Sequence, residues 1–244
     1  MHKRYAEQAE WTAAARKRLL ETAPLNAGSA ALEVGSGTGV ISSSLSREYS
    51  IFMYGLDIDP AATRLAVRLD PNSRYLVGDG YTLPFPGGSF DLVVCHFLLL
   101  WIKTPLDVLR DMLRVLRPNG CLMAFAEPDY GGRLDHPPEL VHLGEWQTKA
   151  LQRAGADPFI GRKLRALLAA AGAERIFSGV LGGEWSSADL ERDSAAEREI
   201  LRHDLAQSFD DQLENLLEMD ERAASLGERT LFIPTFFALG YAPA

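Results

Sequence analysis

The sequence predicts an α/β fold in which a mostly parallel sheet is covered by helices on both faces. In the first half of the chain, short β-rich runs alternate with helical stretches, an order that builds a parallel sheet from strand–helix units. The first of these strands leads directly into alternate glycines at positions 35, 37 and 39. In the second half, two long helical tracts replace this alternation, and an apolar, aromatic segment follows that we predict to be the last strand.

Five strands are predicted in the first half, because five apolar runs each end beside glycine or a polar residue. They span Ala30–Val34, Ile51–Leu56, Arg74–Val77, Phe90–Cys95 and Cys121–Ala126. Between them, Asp59 is placed to cap a helix that begins at Pro60. A second helix is predicted over Leu106–Arg117, and the Pro-Asn-Gly segment at 118–120 is expected to stop it.

The second half is predicted to contain two further helices and two further strands. The helices span Pro138–Ala154 and Gly161–Ala171, and the strands span Ile176–Leu181 and Thr230–Tyr241. Gly172 follows the second helix as a C-terminal cap. Pro234 lies inside the last strand and indicates a bulge or an irregular edge there, since proline cannot donate to a sheet ladder.

The segment Ser186–Leu226 is polar and helical, but its apolar side chains recur every three or four residues along one face. This apolar stripe consists of Leu201, Leu205, Phe209, Leu213, Leu216 and Leu217. If five of these six side chains, all except Leu216, were left in water, the cost would be roughly 8 to 15 kcal/mol relative to burial. Another surface must therefore cover them. We therefore expect a helical insertion at 186–227, which forms a lid or a dimer arm, between the two parts of a main domain at 30–185 and 228–244.

Composition and charge exclude several classes of function. The formal net charge of −8 disfavours general nucleic-acid binding. The longest nearly apolar run, Leu92–Ile102, is too short to cross a bilayer, and the first residues carry no apolar signal core, so we expect a cytoplasmic protein. Cys95 and Cys121 lie in apolar runs and are expected to be buried rather than disulfide-bonded, and no Cys/His cluster has the spacing of a zinc site.

The glycine-rich turn after the first strand is the most informative segment. Without side chains at Gly35, Gly37 and Gly39, the loop can adopt positive φ angles and let a ligand approach the backbone beside a helix N-terminus, where a carboxylate or phosphate is favoured. The dinucleotide pattern Gly-x-Gly-x-x-Gly would require a glycine at position 40, which is Val40. The turn therefore indicates ligand binding and counts against a dinucleotide.

Two acidic residues follow the next two strands. Asp57 lies 18 residues after Gly39, where a carboxylate in a doubly wound fold accepts both hydroxyls of a ribose, and Ile58 could lie against an adenine. The alternative is that Asp57, like Asp59, only caps the helix at Pro60. Asp79 ends the third strand before Gly80 and could accept the exocyclic amine of adenine.

Five segments, which include the glycine turn and the two acidic residues, follow one another along the chain in a fixed order. The segments are Glu33–Gly39, Gly55–Pro60, Gly78–Gly80 leading to Leu83–Phe85, Ser89–Val94 and Arg114–Gly120. Together they resemble the class I S-adenosylmethionine-dependent methyltransferases over residues 30–126, in particular the small-molecule branch with the ubiquinone/menaquinone-methyltransferase-like pattern. Asn119 stands where that family usually has glycine, and both residue types tolerate left-handed turns. The resemblance implies a Rossmann-like seven-stranded sheet with an antiparallel last strand.

The resemblance also implies S-adenosylmethionine as the cofactor, with S-adenosylhomocysteine as the product, and assigns residues to it. The glycine turn would contact the methionine moiety, Glu33 would orient that turn, Asp57 would hold the ribose, and the strand ends would enclose the adenine. The implied cofactor-binding residues are Tyr5, Glu33, Gly35, Ser36, Gly37, Gly39, Asp57, Ile58, Asp79, Gly80, Cys95, His96 and Phe97. The resemblance also implies a helical cap at 1–29. Tyr5 lies in this cap, in an N-terminal helix that folds over the cofactor in such enzymes, and a plain packing role for Tyr5 stays open.

Methyl transfer requires a nucleophile in line with the sulfonium methyl group, and positioning supplies most of the acceleration. His96 follows the fourth strand and is the candidate general base, although it could equally be a hydrogen-bonded core residue. The candidate acceptor-binding residues are Glu127, Tyr130, His136 and Trp146. Cys95-His96-Phe97-Leu98 stands where DNA amino-methyltransferases carry Asn-Pro-Pro-Tyr or Asp-Pro-Pro-Tyr, so nucleobase methylation is not expected.

Three hypotheses follow. The first is a methyltransferase that acts on oxygen, nitrogen or carbon of a small or medium-sized organic acceptor, with no nucleic-acid partner, no membrane span and a possible homodimer. The second is a nucleotide-dependent oxidoreductase, which would share the sheet and the ribose carboxylate. The third is a cofactor-binding subunit without catalytic activity.

Overall fold

The computed structural model describes residues 2–181, 187–205 and 210–244. Trp185, at the predicted domain boundary, and Phe209, predicted in the apolar stripe, lie outside these ranges. No helix within the described ranges is long and apolar enough to cross a membrane.

Strands and helices alternate through the first half, as the sequence predicts. The strands are β1 (Ala30–Val34), β2 (Phe52–Asp57), β3 (Arg74–Val77), β4 (Phe90–Cys95), β5 (Leu116–Pro128), β6 (Leu134–His136), β7 (Glu174–Leu181), β8 (Thr230–Phe232) and β9 (Thr235–Tyr241). The helices are α1 (His2–Trp11), α2 (Ala13–Leu20), α3 (Val40–Tyr49), α4 (Pro60–Leu69), α5 (Pro105–Arg114), α6 (Val141–Arg153), α7 (Leu164–Ala171), α8 (Ser187–Leu205) and α9 (Asp210–Ser225).

Seven of the strands form one sheet in the order β3-β2-β1-β4-β5-β9-β7. The pairs from β3 to β5 are parallel, and β9 runs antiparallel to both of its neighbours. The predicted Rossmann-like sheet of seven strands with an antiparallel last strand is therefore confirmed. Because the order reverses between β1 and β4, the carboxyl ends of these two strands flank a crevice where ligands bind in such sheets.

The core lies on both faces of the sheet, because successive strand residues point to opposite sides. In β4, Val93 and Cys95 pack with α5 and α7, whereas Leu92 and Val94 pack with α2 and α3. Cys95 and Cys121 are both buried and free, as expected. Burial on both faces explains why the central strands are nearly continuous apolar runs.

The structure contradicts the predicted end of the helix after β4 and the predicted start of the strand that follows it. The helix predicted over Leu106–Arg117 ends at Arg114, because Leu116 already pairs with Phe90 of β4 and so belongs to the start of β5. The Pro-Asn-Gly segment lies inside β5 as an irregularity, with Asn119 at a φ of 60°, rather than between a helix and a strand. Sheet pairing with β4 has overridden the helical spacing of the apolar residues.

The predicted last strand, Thr230–Tyr241, is divided in two at Pro234. Its first part, β8, leaves the main sheet and pairs antiparallel with β6. Proline has no N–H for the ladder, and the Pro234 carbonyl instead accepts a hydrogen bond from Asp129 N at 2.8 Å. The predicted irregularity is thus a break, and the two-stranded β6–β8 sheet was not predicted.

Four leucines of the apolar stripe are buried within this chain. Leu201 and Leu205 of α8 and Leu213 and Leu217 of α9 pack together with Leu140, Leu143 and Trp146, at and before α6. α6 and the residue before it therefore cover these four leucines, as a second copy would in a dimer arm.

A buried ionic network, which we call the arginine network, fastens the same helices to β6. It comprises Arg133, Asp135, Glu197, Arg198, Asp220 and Arg229. Asp135 accepts from Arg133 Nε at 2.7 Å and from Arg229 Nη2 at 2.6 Å. Burial lowers the pKa of Arg133, but the carboxylates of Glu197 and Asp135 outweigh this effect and raise it. Three guanidinium groups thus form ion pairs with three carboxylates. These pairs join β6 and the residue before it to α8, α9 and the segment before β8.

Candidate active site

The turn between β1 and α3 adopts a left-handed conformation at each of its glycines. The φ angles are 74° at Gly35, 50° at Gly37 and 76° at Gly39, a region that other residue types rarely enter. The amides of Gly35 and Ser36 donate to the Leu56 carbonyl of β2 at 2.8 and 3.1 Å. These bonds hold the turn against the neighbouring strand and engage these two amides within the protein.

Helix α1 lies directly over this turn. A Cβ atom added at Gly37 would stand 2.7 Å from Cε2 of Tyr5, so the Tyr5 ring contacts the backbone of the turn. His2 Nδ1 lies 2.9 Å from Oγ1 of Thr38 in the same turn. The predicted cap at 1–29 therefore brings Tyr5 to the glycine turn; its contact with a cofactor stays a prediction.

Asp57 ends β2 and faces the turn. Its Oδ2 accepts from Gly37 N at 2.6 Å, and its Oδ1 accepts from Asp59 N at 2.8 Å. Asp59 is the residue that caps α4, since its Oδ1 accepts from Ala61 N at 2.7 Å. The two carboxylates thus have separate roles. Asp57 fixes the turn and, with two lone pairs per oxygen, retains acceptor capacity for a further donor.

An exposed apolar side chain stands beside Asp57. Ile58 is 71% exposed, which is unusual for isoleucine. Asp79, at the end of the neighbouring strand β3, is also exposed, and its Oδ1 accepts from Tyr81 N at 3.0 Å. An apolar surface and an acceptor therefore lie at adjacent strand ends, an arrangement suited to a nucleobase.

Glu33 is a buried carboxyl group beneath the turn. Its Oε2 accepts from Ser42 N at 2.9 Å and from Ser42 Oγ at 2.5 Å, which ties β1 to α3. Burial raises the pKa of Glu33 to about 8, although the Ser42 hydrogen bonds and the charge of Arg16 oppose this shift. Its predicted role in orienting the turn agrees with these contacts.

We expect Glu33 to make the protein less stable as the pH rises from about 4.5 to about 8. The folded state keeps a proton that the unfolded chain loses near pH 4.5, so this contribution is complete below pH 4.5 and is lost as the pH passes about 8. Glu33→Gln stays neutral, and its free energy of unfolding should decline less between about pH 5 and about pH 9 in urea titrations. Equal declines in the two proteins would contradict this prediction.

The carboxyl end of β4 forms the opposite wall of the crevice. The Cys95 side chain is fully buried in the core, so only its backbone can face a ligand. Phe97 adopts a φ of 51°, an uncommon conformation for a bulky residue. The Glu127 carboxylate accepts the amides of Leu98 and Leu99 at 2.9 and 2.8 Å and that of Leu100 at 3.2 Å. Glu127 therefore shapes this wall from behind.

His96 lies between Cys95 and Phe97 and is half-buried. Its Nε2 is 2.9 Å from Oγ1 of Thr12, at the junction of α1 and α2. Burial and the nearby charge of Arg16 lower the pKa of His96 to about 3. A neutral imidazole with so low a pKa is a weak proton acceptor at neutral pH, which argues against the predicted general-base role and for a hydrogen-bonding role.

The predicted acceptor-binding residues occupy different positions. Glu127 is committed to the β4 wall, and Tyr130 lies in a turn that contacts α6. His136 ends β6, with its backbone carbonyl accepting from Arg229 Nη1 at 3.3 Å, and Trp146 packs against α8 and α9. Trp146 thus lies in α6, against the helical insertion, and Tyr130 lies in a turn that borders α6. Acceptor binding by any of the four stays a prediction.

Several residues that shape the site were missed from the sequence. Thr12 and Arg16 connect the N-terminal cap to His96, and Leu98 packs against Gly35. One missed pair belongs to the arginine network. Because side chains alternate between the two faces of an extended segment, Arg133, just before β6, and Asp135 within it lie on the same face, and this spacing could have indicated the pair. The contact between Thr12 and His96 joins residues 84 positions apart, so no local pattern could have predicted it.

Comparison with known proteins agrees with this geometry. Residues 32–124 match the family described as "Methyltransferase domain". The chain contains a class I S-adenosylmethionine-dependent methyltransferase domain. The match covers β1 to β5, the segment that carries the glycine turn and both walls of the crevice.

Relatives and solved structures agree with this methyltransferase domain. The chain is 33% identical over 106 residues to demethylmenaquinone methyltransferase of Renibacterium salmoninarum, covering 43% of this chain and 44% of the relative. It is 30% identical over 121 residues to malonyl-[acyl-carrier protein] O-methyltransferase of a Marinomonas species, covering 48% and 44%. The chain therefore spans less than half the length of these curated relatives.

The fold is also similar to that of solved methyltransferase structures. Phosphoethanolamine N-methyltransferase 2 of Haemonchus contortus, in complex with phosphomonomethylethanolamine and S-adenosylhomocysteine, superposes with a TM-score of 0.66 at 16% identity. The superposition covers 98% of this chain and 57% of that one. At this level of identity the similarity concerns the fold, including the second half that the family match leaves out.

Proposed function

We propose that this protein binds S-adenosylmethionine at the turn after β1 and transfers its methyl group to a small or medium-sized organic acceptor. The observation that carries the proposal is the Asp57 carboxylate, which is bonded to the left-handed glycine turn and adjoins the exposed Ile58. The relatives' acceptors, as their names give them, include a quinone precursor and a malonyl group on a carrier protein. The net charge of −8 supports an organic acceptor rather than a nucleic acid.

The residues present fit the cofactor in three respects. Gly37 has no side chain, so another group can approach its backbone closely, as the Tyr5 ring does. Asp57 offers charged acceptor oxygens for two ribose hydroxyls, and Ile58 with Asp79 offers an apolar surface and an acceptor for an adenine. The cofactor supplies an activated methyl group on a sulfonium, so the protein has mainly to bind, orient and exclude water.

We expect S-adenosylhomocysteine to bind with micromolar affinity, on the order of −7 to −8 kcal/mol. Asp57→Ala should weaken binding by about 1.5 to 3 kcal/mol, because two ribose hydroxyls lose a charged acceptor and the turn loses its bond at Gly37. Isothermal titration calorimetry on both proteins measures this difference. Unchanged affinity in a folded Asp57→Ala protein would remove the assignment.

Asp59→Ala is the matched control, two residues away. It removes the cap of α4 and should lower the free energy of unfolding by about 0.5 to 2 kcal/mol while the affinity for S-adenosylhomocysteine stays the same. Titration with NADH in place of S-adenosylhomocysteine tests the oxidoreductase hypothesis, and tight binding of NADH alone would favour it.

We also propose that the helical insertion is a lid over the acceptor. Support comes from α6, which carries Trp146 against α8 and α9 and also contacts the turn at Tyr130. Ligand binding should then slow amide exchange between about residues 190 and 226, because closure protects the backbone of the insertion. Exchange measured with and without S-adenosylhomocysteine, at two protein concentrations, tests this, and dependence on concentration alone would favour a dimer arm.

A further inference from the structure

The hydroxyl group of Thr12 makes four polar contacts in a fully enclosed position. Thr12 is 1% exposed, at the junction of α1 and α2. Its Oγ1 lies 3.0 Å from the Gln8 carbonyl oxygen, 3.3 Å from the Ala9 carbonyl oxygen and 2.9 Å from His96 Nε2, and Arg16 Nη1 donates to it. These partners come from the N-terminal cap and from the β4 wall, so the hydroxyl joins the two.

The chemistry of these partners fixes the direction of each hydrogen bond. A carbonyl oxygen only accepts and a guanidinium only donates, whereas a neutral imidazole nitrogen can do either. If the Thr12 proton pointed at His96, two oxygen lone pairs would face each other across 3.0 Å at Gln8. All four contacts are attractive in one arrangement: the Thr12 proton points toward the Gln8 and Ala9 carbonyls, and both Arg16 and His96 donate to the Thr12 oxygen.

We propose that Thr12 is a positioning residue that holds His96 with its proton on Nε2, so that Nδ1 presents a lone pair to the methyl acceptor. The acceptor would then carry a hydrogen on or beside its nucleophilic atom, as a hydroxyl or an amine does, and His96 would orient it by accepting that hydrogen bond. The second half of this inference rests on the proposed function, whereas the protonation of the ring does not.

Two observations support a position of this imidazole at the reaction site. Phe97, the next residue, has the left-handed φ of 51°, a backbone strain that clusters at functional sites. The cap that carries Thr12 also carries Tyr5, which contacts the glycine turn at Gly37. His96 and the turn are therefore held by the same helical unit. Arg16 is the charged group that faces the ring, and its cation disfavours an imidazolium.

Nitrogen-15 NMR of the full chain tests the protonation of the ring directly, with the His96→Gln spectrum identifying its signals. In the wild-type protein we expect a protonated Nε2, an unprotonated Nδ1 and an Nε2 proton that exchanges slowly with water. Thr12→Val, which removes the hydroxyl but keeps the shape, should lose the slow exchange, and Thr12→Ser should restore it. A wild-type ring protonated at Nδ1, or slow exchange unchanged in Thr12→Val, would overturn the proposal.

A pair of small probes tests the acceptor half. Phenol carries one O–H group, whereas anisole carries a methyl group in its place. With the protein saturated by S-adenosylhomocysteine, phenol should shift the Nδ1 resonance of His96 more than anisole does, and equal shifts, zero included, would overturn this half. Calorimetry of S-adenosylhomocysteine on the same samples distinguishes failure of this inference from failure of the proposed function. If the proposed function is wrong, S-adenosylhomocysteine does not bind, whereas the protonation of the ring is unchanged.

Discussion

Gly37→Val is expected to abolish binding of S-adenosylhomocysteine, by a factor of at least about 100, while the fold is largely retained. The φ of 50° at this position disfavours a β-branched residue, and its Cβ atom would stand 2.7 Å from Cε2 of Tyr5. The valine side chain would thus collide with the Tyr5 ring, displace α1 and prevent the close approach to the turn that we propose for the methionine moiety. Calorimetry of the purified variant measures the loss, with circular dichroism as the test of folding.

Gly155→Val provides a control with the same backbone strain. Gly155 has a φ of 85°, and a Cβ atom there meets no other atom within 4 Å. This variant should lose stability by about 1 to 3 kcal/mol from the strained backbone but keep its affinity for S-adenosylhomocysteine. If Gly37→Val retained binding, or if both variants lost it equally, the turn after β1 would have only a structural role.

Asp135→Ala is expected to lower the free energy of unfolding by about 3 to 5 kcal/mol. Asp135 lies between Arg133 and Arg229, and the side chains of all three residues are at most 3% exposed. Removing the carboxylate leaves two guanidinium groups buried with fewer partners, and the cost of an uncompensated buried charge exceeds the net value of the original pair. Urea unfolding followed by circular dichroism measures the difference.

An exposed ion pair between α8 and α9, the two helices of the insertion, serves as the control for the buried carboxylate of Asp135. Arg202 of α8 and Glu214 of α9 are about half exposed, with Nε and Oε1 3.3 Å apart. Glu214→Ala should cost less than about 1 kcal/mol, because water screens both charges. A loss below about 1 kcal/mol for Asp135→Ala as well would mean that apolar packing alone holds the insertion.

The sequence predicted the parts of the fold that depend on local patterns. β1, β3 and β4 have the predicted bounds, because each is a short apolar run closed by glycine or a polar residue. Asp59 caps α4 as predicted, since capping involves residues only two positions apart. The error at Leu116 arose where helical spacing and sheet pairing competed, and pairing with a distant strand cannot be seen in a local window.

The candidate site could be predicted only where a motif carries it. The glycine turn and Asp57 were found because their residue types and spacing follow from ligand geometry, and the structure joins them through Gly37 N. Glu127 was a candidate for acceptor binding, and in the structure its carboxylate accepts three amides, from Leu98 to Leu100. The contact between Thr12 and His96 depends on how α2 packs, which no spacing specifies.

The arginine network has a consequence for comparing this chain with others. Its three basic and three acidic residues are spread from Arg133 to Arg229, and burial gives each charge a cost that only its opposite offsets. During divergence, a change at one of these positions should therefore be followed by a change of opposite sign at another. Chains that share this insertion can be recognised by paired gain and loss of charge, even where the apolar residues of α8 and α9 have been exchanged freely.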